Sequence, residues 1–215
     1  MKKVTIVDYG LGNLFSVQHA FLHLGQQTEV TSDKKKIEEA DAIILPGVGA
    51  FGEAMKNLEA MDLVEPIKNF VATGKPFLGV CLGMQLLFEE SEEFGTSKGL
   101  GIIPGYIKKF NHHTTQNNAV RVPQIAWNKI EKPANSPHDW NNTVLKNVKE
   151  GEYMYFVHSY YATPSHKNHV LTETNYDGFS YCSSVLKNNV FAAQFHPEKS
   201  AQEGLKIYTN WLTKI

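Results

Sequence analysis

Cysteine is scarce in this chain of 215 residues: only Cys81 and Cys182 are present. Two thiols do not make a disulfide scaffold, and a working thiol fits a reducing cytosol, so a cytoplasmic location is expected. Charge of one sign is also lacking. Twenty-one Lys and Arg against 22 Asp and Glu leave a net charge of −1, so no strong attraction to nucleic acid or to an anionic membrane is expected. No apolar run reaches transmembrane length, and no signal-peptide core is recognisable. Cys/His clusters with zinc spacing are missing, and the adjacent His112 and His113 read as loop surface rather than a metal site. Repeats and low-complexity tracts are absent. The turn Asp8-Tyr9-Gly10-Leu11-Gly12-Asn13 lacks the third glycine of G-x-G-x-x-G, position 15 being Phe, which argues against dinucleotide binding.

What is present is an alternation of short apolar runs with helical periodicity. Val4 to Asp8 reads as a strand. Leu14, Val17, Ala20, Phe21 and Leu24 then recur at helical spacing and are closed by Gly25. Strands are expected over Gln27 to Val30, Ile43 to Leu45 and Phe77 to Val80. Helical segments are expected over Lys34 to Glu39, Gly52 to Met61 and Leu63 to Thr73, the last stopped by Gly74. This βαβ series predicts an α/β fold with a mainly parallel sheet covered on both faces, and a site at the carboxyl ends of its strands. Beyond Gly99 the texture changes. Gly105 to Phe110, Tyr153 to Val157, His169 to Glu173, Phe179 to Val185 and Val190 to Gln194 read as strands of a more antiparallel extension of the same domain. Ala201 to Leu212 reads as a C-terminal helix. Glu131 to Asn142, rich in Asn and Pro, reads as a surface loop or insertion.

Three segments carry chemistry. Gly79-Val80-Cys81-Leu82-Gly83 sits between an apolar strand and the helix-like Met84 to Phe88, the arrangement of a nucleophile elbow, whose small neighbours relieve a crowded turn. The following helix start would place N–H groups and a favourable dipole near the sulfur, favouring thiolate. Gln194-Phe195-His196-Pro197-Glu198 supplies an imidazole and a carboxylate two residues apart, which in an extended segment point to one side, so Glu198 can orient His196. A buried cysteine and a surface His-Pro-Glu turn are the bland alternatives, taken singly. Together Cys81, His196 and Glu198 make a Cys-His-Glu triad. The third segment, Pro46-Gly47-Val48-Gly49, ends a strand with glycines that allow backbone N–H groups to face an anion. Gly47, Val48 and Gly49, with the N–H of Leu82, are the candidate oxyanion hole. A phosphate loop is the rival reading of that segment, but the Lys-Ser/Thr of a Walker A motif is missing.

The set PGVGAFG, GVCLGMQLLFE, YFVHSYY and QFHPEKS resembles the class I, triad-type glutamine amidotransferases. Within them, the run Ile6 to Asn13 and the run Val122 to Asn128 resemble the glutaminase subunits of imidazole glycerol phosphate synthases. The motifs extend from Val4 to Ser200. The resemblance implies one amidotransferase domain over 1–215, with a flavodoxin-like central sheet. It implies hydrolysis of glutamine to glutamate and ammonia, with no metal or organic cofactor. It also implies a heterodimer with a (β/α)8 cyclase that consumes the ammonia to make imidazole glycerol phosphate and an aminoimidazole carboxamide ribotide in histidine biosynthesis.

By the same resemblance, Gln85 and Glu93 meet the amino-acid end of glutamine, and Ser159 and Tyr160 its carboxylate. Gln85 lies one helical turn past Cys81 and can face the pocket, whereas Glu93 stands in an acidic run that is ordinarily just solvated. Asn13, Trp127, Tyr155 and Lys199 match positions at the partner face, with core packing the alternative for Trp127 and Tyr155. Cys182 reads as a structural thiol. Family members commonly carry His and Gly where this chain has Gln124 and Ala126, which leaves the partner open. A paralogue feeding a surface-sugar amidation pathway, a stand-alone γ-glutamyl hydrolase and a non-catalytic relative remain as other readings.

Overall fold

The computed structural model describes residues 2–111, 113 and 119–215. The N-terminal half alternates strands and helices: β1 Val4–Val7, α1 Leu14–His23, β2 Thr28–Thr31, α2 Lys34–Glu39, β3 Ala42–Gly47, α3 Phe51–Ala60, α4 Val64–Ala72, β4 Phe77–Cys81 and α5 Leu82–Gln85. The rest is strand-rich: β5 Glu90–Ser91, β6 Ser97–Lys98, β7 Gly105–Lys109, β8 Gln124–Ile130, β9 Glu152–His158, β10 Tyr160–Pro164, β11 Val170–Tyr176, β12 Phe179–Lys187, β13 Val190–Ala193 and finally α6 Ala201–Leu212.

One large sheet runs β2-β1-β3-β4-β13-β12-β10-β7-β5-β6, with β11 added on β12. From β2 to β13 every pairing is parallel, and β13 turns the sheet antiparallel through β12 and β10. This is the expected parallel core with an antiparallel extension. Strands β8 and β9 form a separate antiparallel pair that the motif reading did not resolve as strands of their own sheet.

Alternation along the central strands sorts the core into two layers. Ile43, Leu45, Phe77, Val190 and Ala192 face a cluster with Ile37, Phe51, Leu58, Ile67 and Phe70 of α2, α3 and α4. Ala42, Ile44, Leu78, Phe191 and Ala193 face the opposite cluster with Phe21 of α1, Tyr208 and Trp211 of α6, and Met154 and Phe156 of β9. Period-two side-chain direction in strands buried on both faces gives this result directly. The β8–β9 pair therefore serves as cover for one face, a position that a parallel α/β pattern assigns to a helix.

Two expectations are corrected. The helix after Cys81 is not Met84 to Phe88 but the single turn α5. The carbonyls that would continue it are taken by the returning chain: Leu100 N–H donates to Leu86 O at 2.8 Å, Gly101 N–H to Phe88 O at 3.0 Å, and Ile102 N–H to Leu87 O at 2.8 Å. A Cβ on Gly99 would stand 2.3 Å from Phe88 O, so this return requires glycine. A four-residue helix also carries little of the dipole invoked for the thiol. Second, Glu131 to Asn142 is not wholly surface. Glu131 bridges to Glu173, and Trp140 is buried, its indole N–H donating to Leu171 O at 3.4 Å. His112 lies outside the described residues, and His113 is exposed in a bridge with Ala119.

Candidate active site

Cys81 stands at the end of β4 with φ +55° and ψ −111°, a conformation that costs a side-chain-bearing residue about 1–3 kcal/mol. The turn is fixed by contact. Gly79 lies against Ala192 of β13, where an added Cβ would stand 2.8 Å from the alanine Cβ. An added Cβ on Gly83 would stand 1.8 Å from Leu45 O of β3. The elbow is thus wedged between its two neighbouring strands, with its sulfur turned to the carboxyl end of the sheet.

His196 follows β13, the strand registered beside β4. Its Nδ1 is 2.7 Å from Glu198 Oε1. The expectation of an extended His-x-Glu is corrected in form: Pro197–Lys199 is one turn of 3-10 helix, and that turn brings the carboxylate back under the ring. Tyr208 of α6 donates its hydroxyl to Glu198 Oε2 at 3.1 Å, fixing the second oxygen. His196 Nε2 is buried without a hydrogen-bond partner. Burial of the ring opposes its charge, but the Cys81 sulfur first and then Glu198 outweigh it and push the imidazole up to about 10. Removing the sulfur is therefore expected to lower the His196 pKa. A ring-proton titration by NMR comparing Cys81→Ala with the parent checks this; equal titration curves would mean the two groups do not interact.

A cavity of about 280 Å³ opens over the sulfur. Its walls include Val48, Gly49, Cys81, Leu82, Gln85, Glu93, Ser159, Tyr160 and His196, so nearly all of the expected catalytic and glutamine-contacting residues meet there. Glu198 lies behind the imidazole. Gly47 is not among the residues that line this cavity. It pairs with Cys81 in the sheet and lies behind the wall, where an added Cβ would stand 2.2 Å from the Tyr9 hydroxyl. Close packing, rather than exposure to the cavity, requires glycine there. Tyr9 is itself buried and donates to Pro46 O at 2.8 Å, bracing the loop from beneath; burial first, and then the charge at Cys81, push its phenol pKa up.

The acidic run is not merely solvated. Glu93 Oε2 accepts from Phe51 N–H at 2.6 Å and Glu92 Oε1 from Lys109 N–H at 2.6 Å. Glu93 thus caps α3, whose preceding residue Ala50 offers no side-chain cap, and ties the glycine loop to the cavity wall. Gln85 Nε2 donates to Tyr160 O at 3.0 Å and to Gln194 Oε1 at 2.9 Å, and Gln194 Nε2 lies 3.7 Å from Cys81 Sγ. Gln194 and His158, which also borders the cavity, were not singled out from sequence. Their signal was only adjacency to the His-x-Glu and YFVHSYY motifs. Cys182 is buried with its thiol donating to Ser184 O at 3.4 Å, and burial raises its pKa.

Beside the cavity, the Tyr155 ring lies 6.4 Å from the His196 ring and meets Trp127 edge-on at 6.1 Å, while Lys199 Nζ sits 5.8 Å over Tyr155. Trp127 is 49 % exposed, so it is not a core residue. Asn13 caps α1, its side chain accepting from Ser16 N–H at 3.3 Å. Among the described residues no group of three or more His, Cys, Asp or Glu could hold a metal ion, and no helix is long and apolar enough to cross a membrane.

A strained cysteine at a strand end, backed by an imidazole–carboxylate pair and glycine-rich backbone, is the equipment of an enzyme that makes and breaks a thioester. The family model for glutamine amidotransferase class-I matches residues 5–215, and the chain belongs to that family. Within it, the chain is 42 % identical over 212 residues to imidazole glycerol phosphate synthase subunit HisH 1 of Legionella pneumophila (strain Lens), covering 99 % of each. It is 45 % identical to the subunit HisH of Syntrophotalea carbinolica, covering 97 % of this chain and 98 % of that one. Prochlorococcus marinus (strain NATL2A) has a subunit HisH at 45 % identity over 99 % of this chain and 96 % of its own. Among solved structures, a glutamine amidotransferase (TM-score 0.72, 17 % identity, 97 % of each chain) and PurLQS from Thermotoga maritima (TM-score 0.72, 18 % identity, 99 % of each) share the fold.

Proposed function

We propose that this chain is the glutaminase subunit of an imidazole glycerol phosphate synthase, a single amidotransferase domain working in the cytoplasm. The observation that carries the reading is the identity of 42–45 % along essentially the whole length to HisH subunits, joined to a cavity in which Cys81 and His196 stand together. The Cys81 thiolate attacks the side-chain carboxamide of glutamine. Backbone N–H groups of Val48, Gly49 and Leu82 face the developing oxyanion. His196 transfers its proton to the departing nitrogen, and ammonia leaves a γ-glutamyl thioester. The now neutral imidazole takes a proton from water, whose oxygen attacks the thioester, and glutamate is released with the thiolate restored. Glu198, held by Tyr208, keeps Nδ1 of the ring protonated and stabilises the imidazolium. Gln85, Glu93, Ser159 and Tyr160 bind the amino-acid end of the substrate.

Ammonia released to water is lost as ammonium, so the site works against a docked acceptor. The (β/α)8 cyclase of histidine biosynthesis is that acceptor in this reading. Trp127, exposed beside Tyr155 and Lys199 within reach of His196, is its anchor, a role suited to a large half-exposed aromatic. Asn13 borders a small cleft with His196 and Glu198 and is assigned to the same partner face. Glutamate release by the purified chain, alone and with the cyclase and its ribotide substrate, tests this. Strong stimulation that depends on Cys81 is expected. Turnover indifferent to the cyclase would turn the reading to a stand-alone hydrolase or to a paralogue with another acceptor.

A further inference from the structure

A chain of buried polar groups leads away from the cavity, starting at His158. His158 is buried; its Nδ1 lies 2.9 Å from Tyr160 O and its Nε2 3.1 Å from the Tyr181 hydroxyl. Tyr181 Oη in turn lies 3.0 Å from Gln124 Oε1, and Gln124 Nε2 is buried without a partner. Counting protons fixes the roles. A carbonyl only accepts, so His158 Nδ1 carries its hydrogen. Burial lowers the imidazole to about 4, so the ring is neutral and Nε2 is an acceptor. The Tyr181 O–H is the donor in contact with it. Tyr181 has one proton and cannot also give it to Gln124.

A half-turn of the Gln124 carboxamide exchanges its oxygen and nitrogen without moving its neighbours. It places an N–H donor on Tyr181 Oη and leaves a single unpaired carbonyl oxygen. The other arrangement leaves both an amide N–H and an imidazole nitrogen unpaired in the interior, which is the costlier state. All donors then run one way: Gln124 to Tyr181, Tyr181 to His158, His158 to Tyr160 O. The same carbonyl receives Gln85 from the other side, whose second hydrogen goes to Gln194. Gln194 faces the sulfur with its own amide nitrogen.

We propose that His158 is a positioning residue for glutamine. Tyr181 and Gln124 hold it as the neutral Nδ1–H tautomer, and with Gln85 it clamps the Tyr160 carbonyl so that the Ser159–Tyr160 backbone is set to receive the substrate. The inference rests on the glutaminase reading. Its residues lie outside the triad.

The test pairs His158→Asn with His158→Leu. The amide nitrogen of Asn can stand in for Nδ1–H, whereas Leu fills space without a donor. Inactivation of Cys81 by a glutamine-analogue diazoketone gives a half-saturating concentration, and iodoacetamide, which needs no amino-acid pocket, reports the bare thiol. In His158→Leu the analogue's half-saturation is expected to rise by about 10-fold or more, with the iodoacetamide rate within about 3-fold; His158→Asn should return to within about 3-fold of the parent. Equal affinity in folded His158→Leu, or equal loss in both variants, would overturn the clamp. Nitrogen NMR of the ring is independent of catalysis. It should show the Nδ1–H tautomer, uncharged between about pH 5.5 and 8, and lose that pattern in Tyr181→Phe. An Nε2–H tautomer or an imidazolium in the parent would overturn the relay. If the parent neither hydrolyses glutamine nor reacts with the analogue, the functional reading fails while the NMR still decides the tautomer.

Discussion

Cys81→Ala and Cys81→Gly are both expected to lose glutamine hydrolysis by on the order of 10⁴-fold or more, since no other group supplies the thioester, yet to differ in stability. Cys81 occupies φ +55° and ψ −111°, and alanine inherits the strain of that backbone. Glycine relieves it, at about 1–3 kcal/mol, against about 0.5–1 kcal/mol for its greater freedom in the unfolded chain. The glycine variant should therefore be the more stable of the two by about 1 kcal/mol. Urea unfolding of both proteins, with glutamate release assayed alongside, checks the pair of effects. Equal stability would show that the elbow is not strained, and residual turnover in either would mean that Cys81 is not the nucleophile.

Gly83→Ala is expected to destabilise the fold by about 3 kcal/mol or more. Its Cβ would enter the backbone of β3, 1.8 Å from Leu45 O and 2.7 Å from Leu45 C. Neither atom belongs to a flexible side chain, so the elbow and β3 must separate. Because β3 runs straight into Val48 and Gly49, that separation also opens the cavity wall beside Cys81. Gly74→Ala is the control. Gly74 has φ +79° but open space around it, so only the backbone strain of about 1 kcal/mol applies. Thermal unfolding of the two variants should place Gly83→Ala far below Gly74→Ala; similar melting temperatures would mean that the turn has room to move.

The parallel half was legible because its central strands β1, β3 and β4 are buried on both faces and its longer helices show a period. Ala42 to Leu45, running into Pro46-Gly47, and Phe77 to Cys81, following Pro76, are apolar runs, and Val4 to Val7 is interrupted only by the buried Thr5. The candidate triad was legible because local glycine or proline marks its segments: Cys81 ends β4 between Gly79 and Gly83, and His196 and Glu198 flank Pro197 in the turn after β13. The lost pieces depend on partners distant in sequence. Nothing near Met84 to Phe88 says that residues 99–103 will take its carbonyls, so a helix was expected there. Strands β5 and β6 have two residues each, too few to display alternation. Glu93 looked solvated because its partner, the Phe51 N–H, lies 42 positions earlier. Trp140 was hidden inside a polar stretch, and the close packing at Gly47 comes from the Tyr9 hydroxyl, invisible in the local pattern, which occupies the space a Cβ would take.

The order of strands across the sheet has a consequence for synthesis. Cys81 ends β4, and the contact partner Gln194 follows β13, 113 positions later, though the two strands are neighbours. In a chain that ends before β13, β4 would be an outer strand of the parallel set, with an open row of N–H and C=O groups. Only the arrival of β13 closes that edge, and the same event delivers His196 to the sulfur. A nascent or truncated chain is thus both catalytically silent and sticky. On the proposed chemistry, a copy lacking β13 and the segment after it lacks His196 and so turns over no glutamine.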